Sequence, residues 1–215
     1  MFWIVTQSLL SGLATTFEIF ILTLIFALPL GLILAFGLLS KFTPLKRLVQ
    51  ILVWIIRGTP LMLQLMVVYF GPYYLFGMKV TATYRFYAVI IGFALNYAAY
   101  FAEIYRSGIE SMPNGQYEAA QVLGYNKAQT FIRIILPQVI KRVLPSITNE
   151  TITLVKDTSL AFTISIAEMF TVAKQIGAAQ TSVMPLLAAG IFYYVFNLIV
   201  ATVMEYIEKR LSYYR

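Results

Sequence analysis

Long apolar runs, broken by short polar stretches that carry glycine, proline or charge, set the pattern of this chain. Five runs reach the length of about 20 residues that crosses a bilayer as a helix. They cover residues 9–39, a stretch within 48–76, residues 86–105, a stretch within 143–170, and residues 184–207. The runs are continuous, whereas barrel strands would alternate over segments of roughly 10 residues, and no such alternation is evident. The pattern predicts an all-α integral membrane protein with five transmembrane helices. The first run is long enough to tilt or to begin at the interface. With no basic stretch before it and no cleavage site after it, it reads as a retained first span and not as a signal peptide.

Composition narrows the function classes. The 215 residues are 60 % hydrophobic and 12 % charged, with a mean hydropathy of +0.80, which leaves no room for a soluble catalytic domain. No linker, low-complexity tract or internal repeat is apparent, so residues 1–215 are read as one domain. The net charge of +7 is scattered over short loops. It reads as topogenic charge and not as a nucleic-acid surface. Placing the N-terminus outside puts eleven of the sixteen basic residues in the cytoplasm, Lys41, Lys46, Arg47, Arg106, Lys127, Arg133, Lys141, Arg142, Lys209, Arg210 and Arg215. Lys79, Arg85 and Lys174 stay outside, and Arg57 and Lys156 fall within apolar runs. This is a strong positive-inside bias with the C-terminus cytoplasmic. The absence of cysteine excludes disulfides and thiolate chemistry, and the absence of histidine removes the commonest general base and metal ligand. Gly12, Gly31 and Gly37 in the first span, and Gly92 with Ala94 in the third, permit close helix packing.

Several positions break the apolar pattern. Arg57-Gly58-Thr59-Pro60 interrupts the second run, because Pro60 lacks a backbone donor and pushes Thr59 out of the helical region. Arg57 either snorkels to the cytoplasmic interface, making residues 46–56 an interfacial elbow, or meets a solute. The fourth run carries Thr148, Asn149, Glu150, Thr151, Thr153, Lys156, Asp157, Thr158 and Ser159, a load that no lipid-facing helix tolerates. The sequence predicts a helix ending near Lys156 and a new one capped by Asp157 or Thr158. Such a mid-membrane break either binds a charged solute or is merely locked by a Lys156–Asp157 pair. Asn96, Tyr100 and Glu103 share one face of the third span at i, i+4 and i+7. Glu103 is either a solute contact or the partner of Arg106. Thr16 and Phe20 in the first span are further candidate contacts, and neighbouring Glu18 can equally lie among outer headgroups.

The loop at about 106–142 holds the most specific spacing: Glu118-Ala119-Ala120, three residues, Gly124, nine residues, then Ile134-Ile135-Leu136-Pro137. Asn114-Gly115 predicts a turn and residues 116–123 a short helix. Gly124 supplies a left-handed stop, Asn126 a cap for a second helix, and Pro137 a limit or kink in it. The paired alanines offer bare backbone suited to a cleft on another protein.

With those residues in view, the chain resembles the membrane subunits of polar amino acid ABC importers. The likeness runs through Gly12-x-x-x-Thr16, Arg57-Gly58-Thr59-Pro60-Leu61 with Gln64, Ala102-Glu103-Ile104-x-Arg106-x-Gly108-Ile109, the Glu-Ala-Ala loop, and Lys156-Asp157-Thr158-Ser159-Leu160. The resemblance implies the type I importer permease architecture in a prokaryotic inner membrane. It also implies a second permease copy or a paralogous permease, an extracytoplasmic amino-acid-binding protein, and two cytoplasmic ATPase subunits. Glu118, Ala119, Ala120 and Gly124 would then engage an ATPase, and transport would proceed by alternating access. No Gly-x4-Gly-Lys-[Ser/Thr] motif is present, so ATP and magnesium would bind the partner, with no cofactor in this chain.

Glu103, Asp157, Tyr100, Asn96, Thr16 and Phe20 are the candidate substrate contacts. Two or more carboxylates along one path, Glu103 and Asp157 with Glu150 as a further candidate, favour basic amino acids, arginine, lysine or histidine, through Coulomb attraction in a poorly screened cavity. The runner-up is a permease for another small polar solute such as an opine. A passive polar-solute channel leaves the Glu-Ala-Ala loop unexplained, and an intramembrane enzyme lacks its nucleophile–base pair. Membrane lipid and protein subunits are the expected partners, and nucleic acid is not.

Overall fold

A computed structural model describes residues 2–211, with side chains from residue 6 onward; Arg215, one of the eleven charges expected in the cytoplasm, lies outside the described residues. Every regular element among them is helical. In chain order they are α1 (Phe2–Leu38), α2 (Thr43–Arg57), α3 (Leu61–Phe76), α4 (Ala82–Glu110), α5 (Asn114–Val122) and α6 (Lys127–Thr130). A π-helical turn (Phe131–Ile135) leads into α7 (Leu136–Asp157), and a 3-10 turn (Thr158–Ile164) is followed by α8 (Met169–Gln180) and α9 (Met184–Leu211).

Three of these helices are long and apolar enough to cross a membrane: Thr6–Leu38, Ala82–Glu110 and Met184–Leu211. Thr43–Gly58 and Leu61–Phe76 qualify only together, bent by 109° at the Arg57-Gly58-Thr59-Pro60 break. The run placed within 143–170 is not an apolar helix of this kind. Its polar α7 ends at Asp157 and the chain tightens into the 3-10 turn.

The core forms around α4, whose Phe93, Tyr97 and Phe101 are fully enclosed. The small residues read from the sequence lie at helix crossings. A β-carbon at Gly31 would stand 2.8 Å from Phe101 Cβ, and one at Gly12 only 2.7 Å from the Met169 backbone. Without those side chains α1 lies directly on α4 and α8, which maximises dispersion contact where no hydrophobic drive operates between helices. α9 presents Ile191, Tyr194, Leu198 and Val203 outward, a face suited to lipid or to another subunit.

Much of the polarity of α7 is satisfied within its own backbone. The Thr151 and Thr153 hydroxyls donate to the Ile147 and Asn149 carbonyls at 2.7 and 3.0 Å, and Thr158 does so to Val155 at 2.7 Å. Back-bonding of this kind lets a hydroxyl sit in an apolar setting without a pore. Contrary to the expected cap, neither Asp157 nor Thr158 caps a new helix with its side chain; the 3-10 turn runs straight on from α7. The next helix, α8, begins at Met169, after eleven intervening residues, and is capped by Glu168.

Candidate functional site

The C-terminal end of α2, the C-terminal third of α4 and the middle of α7 enclose an open cleft of about 560 Å³. Its walls carry Arg57, Tyr100, Glu103, Arg106, Arg142 and Glu150. The Arg57 guanidinium lies 5.2 Å above the Tyr100 ring centroid, a cation–π arrangement that holds the charge at the cleft wall.

A chain of amides sets that arginine in place. Gln64 Nε2 donates to the Ile56 carbonyl at 2.6 Å, the Thr59 carbonyl at 3.0 Å and Thr59 Oγ1 at 2.8 Å. These oxygens are freed where Pro60 stops the helix, and one carboxamide closes the break. Gln64 Oε1 in turn accepts from Asn96 Nδ2 at 3.0 Å. Asn96 is thus a tie between α3 and α4, 5 % exposed.

The other five candidate contacts separate into three places. Tyr100 and Glu103 line the cleft. Glu103 Oε2 accepts from Arg106 Nε at 2.9 Å and Nη2 at 2.6 Å, and Arg106 also pairs with Glu110. Asp157 lies two turns beyond Glu150 on the same face of α7, roughly 10 Å along the axis. Its Oδ2 accepts the Tyr97 hydroxyl at 2.7 Å. Among the described residues no ion pair joins Asp157 to Lys156, its sequence neighbour, so the expected locking pair is not formed. Thr16 and Phe20 lie elsewhere. The Thr16 hydroxyl accepts the Met169 N–H at 3.2 Å and donates to the Gly12 carbonyl at 3.0 Å, while Phe20 packs edge-on against Phe196.

Arg57 and Glu150, like Arg106 and Arg142, line the cleft without belonging to the six candidate contacts. Glu150 is half-buried, and among the described residues no cation stands within ion-pair distance of it. The signal for it was its i, i+7 spacing from Asp157. Glu168, fully buried, was missed altogether. Its carboxylate accepts the Phe170 and Thr171 N–H groups at 2.6 and 2.7 Å, the Thr171 hydroxyl at 2.8 Å and the Tyr193 hydroxyl at 2.9 Å. Glutamate is an uncommon cap residue, so the sequence offers little notice of it. No group of three or more His, Cys, Asp or Glu positioned for a metal ion occurs among the described residues.

The Glu-Ala-Ala loop folds as a helix and a closed stop. Pro113 takes the extended cap position, so α5 starts at Asn114, and Asn114-Gly115 forms its first turn instead of a separate one. Gly124 adopts φ +80°; its N–H donates to Gln121 and that of Tyr125 to Ala120, both at 3.0 Å, the paired bonds of a Schellman stop. Asn126 and Gln129 form a reciprocal capping box. Pro137 does not end a helix here; it stands in the first turn of α7. Its missing donor is accommodated by the π turn, in which Leu136 N–H reaches back to the Phe131 carbonyl. The two alanines differ in burial. Ala120 is buried against its own chain, while Glu118 and Ala119 are exposed, beside Val122 and Leu123 at 87 % and 73 %.

Residues 27–213 match the model of binding-protein-dependent transport system inner membrane components. The chain belongs to that family. It is a permease of the ABC importer class, an inner-membrane transport subunit and not an enzyme, and membership implies a substrate-binding protein and a separate ATPase as partners. It is 38 % identical to the arginine transport system permease protein ArtQ of Bacillus subtilis (strain 168), over 95 % of this chain and 92 % of that one. It is 37 % identical to the L-cystine transport system permease protein TcyB of the same organism, over 94 % and 86 %. A crystal structure of an amino acid ABC transporter with histidines superposes with a TM-score of 0.87 at 32 % identity, over 95 % of this chain and 94 % of that one. The fold of this family member is therefore the type I importer permease fold.

Proposed function

We propose that this chain is the permease subunit of an ATP-driven importer of polar amino acids, with basic amino acids preferred. The observation that carries the reading is the pairing of opposite charges on the cleft walls, Arg57 at the end of α2 and Glu150 on α7. A free amino acid presents a carboxylate and an ammonium on one carbon. In this reading Arg57 takes the carboxylate, Glu150 takes the ammonium, and the Tyr100 ring excludes water beside them. At about 4 Å and partial solvent exposure, each such contact is worth up to about 4 kcal/mol before desolvation. Glu103 and Asp157 extend the negative potential beyond that pair, which favours a cationic side chain. Glu103 would exchange its Arg106 partner for the cargo, whereas Asp157 would have to release the Tyr97 hydroxyl. The names of the relatives include both arginine and L-cystine, which supports the amino acid class and leaves the charge preference to the cleft.

Residues 1–215 act in this reading as one transmembrane domain. α7 with its 3-10 turn completes five spans, the N-terminus lies outside and the C-terminus in the cytoplasm. A second copy or a paralogous permease forms the other half of the path. ATP and magnesium bind the partner ATPases. The exposed edge of α5, with Glu118, Ala119 and the Gly124 stop, docks on an ATPase within the 106–142 loop. Closure of the ATPase pair draws two such helices together and tilts the spans to open the cleft outward. Thermal stabilisation of the purified complex across the standard amino acids tests the cargo class. Arginine, lysine or histidine should raise the midpoint most, and stabilisation by none of the amino acids would overturn the reading.

A further inference from the structure

α2 (Thr43–Arg57) is not built like the spans. Pro44 pre-sets its first turn, and its axis is turned 109° from α3. At 3.6 residues per turn, Lys46, Arg47, Gln50 and Arg57 fall on one side. Val49, Val53 and Ile56 lie on a second side, packed against Leu38 of α1 and Ala99 and Ala102 of α4. The remaining side is apolar yet uncovered, with Leu48, Ile51, Leu52 and Ile55 at 68, 53, 43 and 58 % exposure. A helix that turns this far from a span and carries one apolar and one cationic side matches the bilayer surface, where both are satisfied at once.

The charge is one-sided as well. Lys41 precedes the helix and Lys46 and Arg47 stand in its first turns, all exposed. No acidic residue occurs anywhere from residue 19 to residue 102. None of the ion pairs among the described residues involves these three cations. We infer that α2 is a surface helix selective for anionic phospholipids, its Leu48, Ile51, Leu52 and Ile55 among acyl chains and Lys41, Lys46 and Arg47 on negatively charged headgroups. Arg57 ends the same rigid helix over Tyr100, so the seating of α2 on lipid and the placement of the cleft cation are mechanically joined. The inference concerns lipid and holds whatever the cargo is.

Trp54, 60 % exposed, reports on this helix directly, because the chain has only one other tryptophan, Trp3. The assembled transporter carrying Trp3→Phe is placed in phosphatidylcholine vesicles doped with brominated phosphatidylcholine or brominated phosphatidylglycerol. The same complex with Trp54→Phe supplies the background from partner subunits. Brominated phosphatidylglycerol should quench Trp54 more strongly at equal mole fraction, with a preference of roughly fivefold for each engaged cation. Lys46→Gln with Arg47→Gln should bring the two lipids close to parity. Raising the salt concentration should do the same in the unaltered protein, which gives a readout independent of whether the variant assembles. Equal quenching by both lipids, or a preference that survives high salt, overturns the inference. So does an unquenched Trp54 together with disulfide cross-linking of Ile51→Cys, the sole cysteine, to its counterpart in a second copy.

Discussion

Asn96 on α4 holds Gln64 on α3 through a 3.0 Å hydrogen bond, and Gln64 in turn closes the helix break beside Arg57. One side chain of α4 thereby governs where the cleft arginine stands. Gln64→Leu leaves the Ile56 and Thr59 carbonyls without that donor at a cost of about 1–3 kcal/mol. The assembled transporter should lose thermal stability, and KM for transported amino acid should rise more than kcat falls. A variant with unchanged stability and KM would show that the break holds itself.

The Tyr97–Asp157 bond makes a second, separable prediction. Tyr97→Phe strands a half-buried carboxylate and should destabilise the permease by about 1–3 kcal/mol. Asp157→Asn keeps an acceptor for the hydroxyl and should cost less. Differential scanning fluorimetry orders the two variants, and transport of arginine by the Asp157→Asn variant reads the charge apart from the fold. Transport lost at normal stability places Asp157 on the solute path; transport kept makes it a brace between α4 and α7.

The paired alanines of the loop should differ sharply. Ala119→Trp alters only an exposed edge of α5, so it should leave insertion and stability intact while abolishing co-purification with the ATPase or ATP-dependent uptake. Ala120→Trp enters the chain's own packing and should lower stability first, by about 1–3 kcal/mol. Gly124→Val forces a branched side chain into φ +80°, costing about 1–2 kcal/mol or more, and should loosen the stop between α5 and α6. If Ala119→Trp still co-purified and transported normally, α5 would not be the docking element.

The sequence carried the helical class and most helix positions, because long apolar runs and glycine spacing register directly in composition. It also carried the break at Pro60, the stop at Gly124 and the cap at Asn126, each a property of one residue and its neighbours. What it could not carry depended on partners far along the chain. Thr16 looked like a candidate contact until the Met169 N–H came to lie on its hydroxyl, 153 residues away. Asp157 looked like a cap until Tyr97 reached it across 60 residues. The polar load of the fourth run excluded a lipid-facing helix without telling protein from water as its surroundings, and several of its hydroxyls bond their own helix. Glu150 carried no motif of its own. Only the meeting of α2, α4 and α7 makes it the cleft carboxylate opposite Arg57.

Calorimetric titration of the detergent-solubilised, assembled transporter with arginine tests the central claim most directly. The unaltered complex should bind, and Glu150→Gln and Arg57→Gln should each weaken binding at least on the order of tenfold, since each leaves one charge of the bound amino acid unpaired. Thr16→Ala, in the α1–α8 contact, should leave affinity unchanged. Unchanged affinity in both cleft variants, with normal expression and assembly, would contradict the account and move the solute site away from α2 and α7.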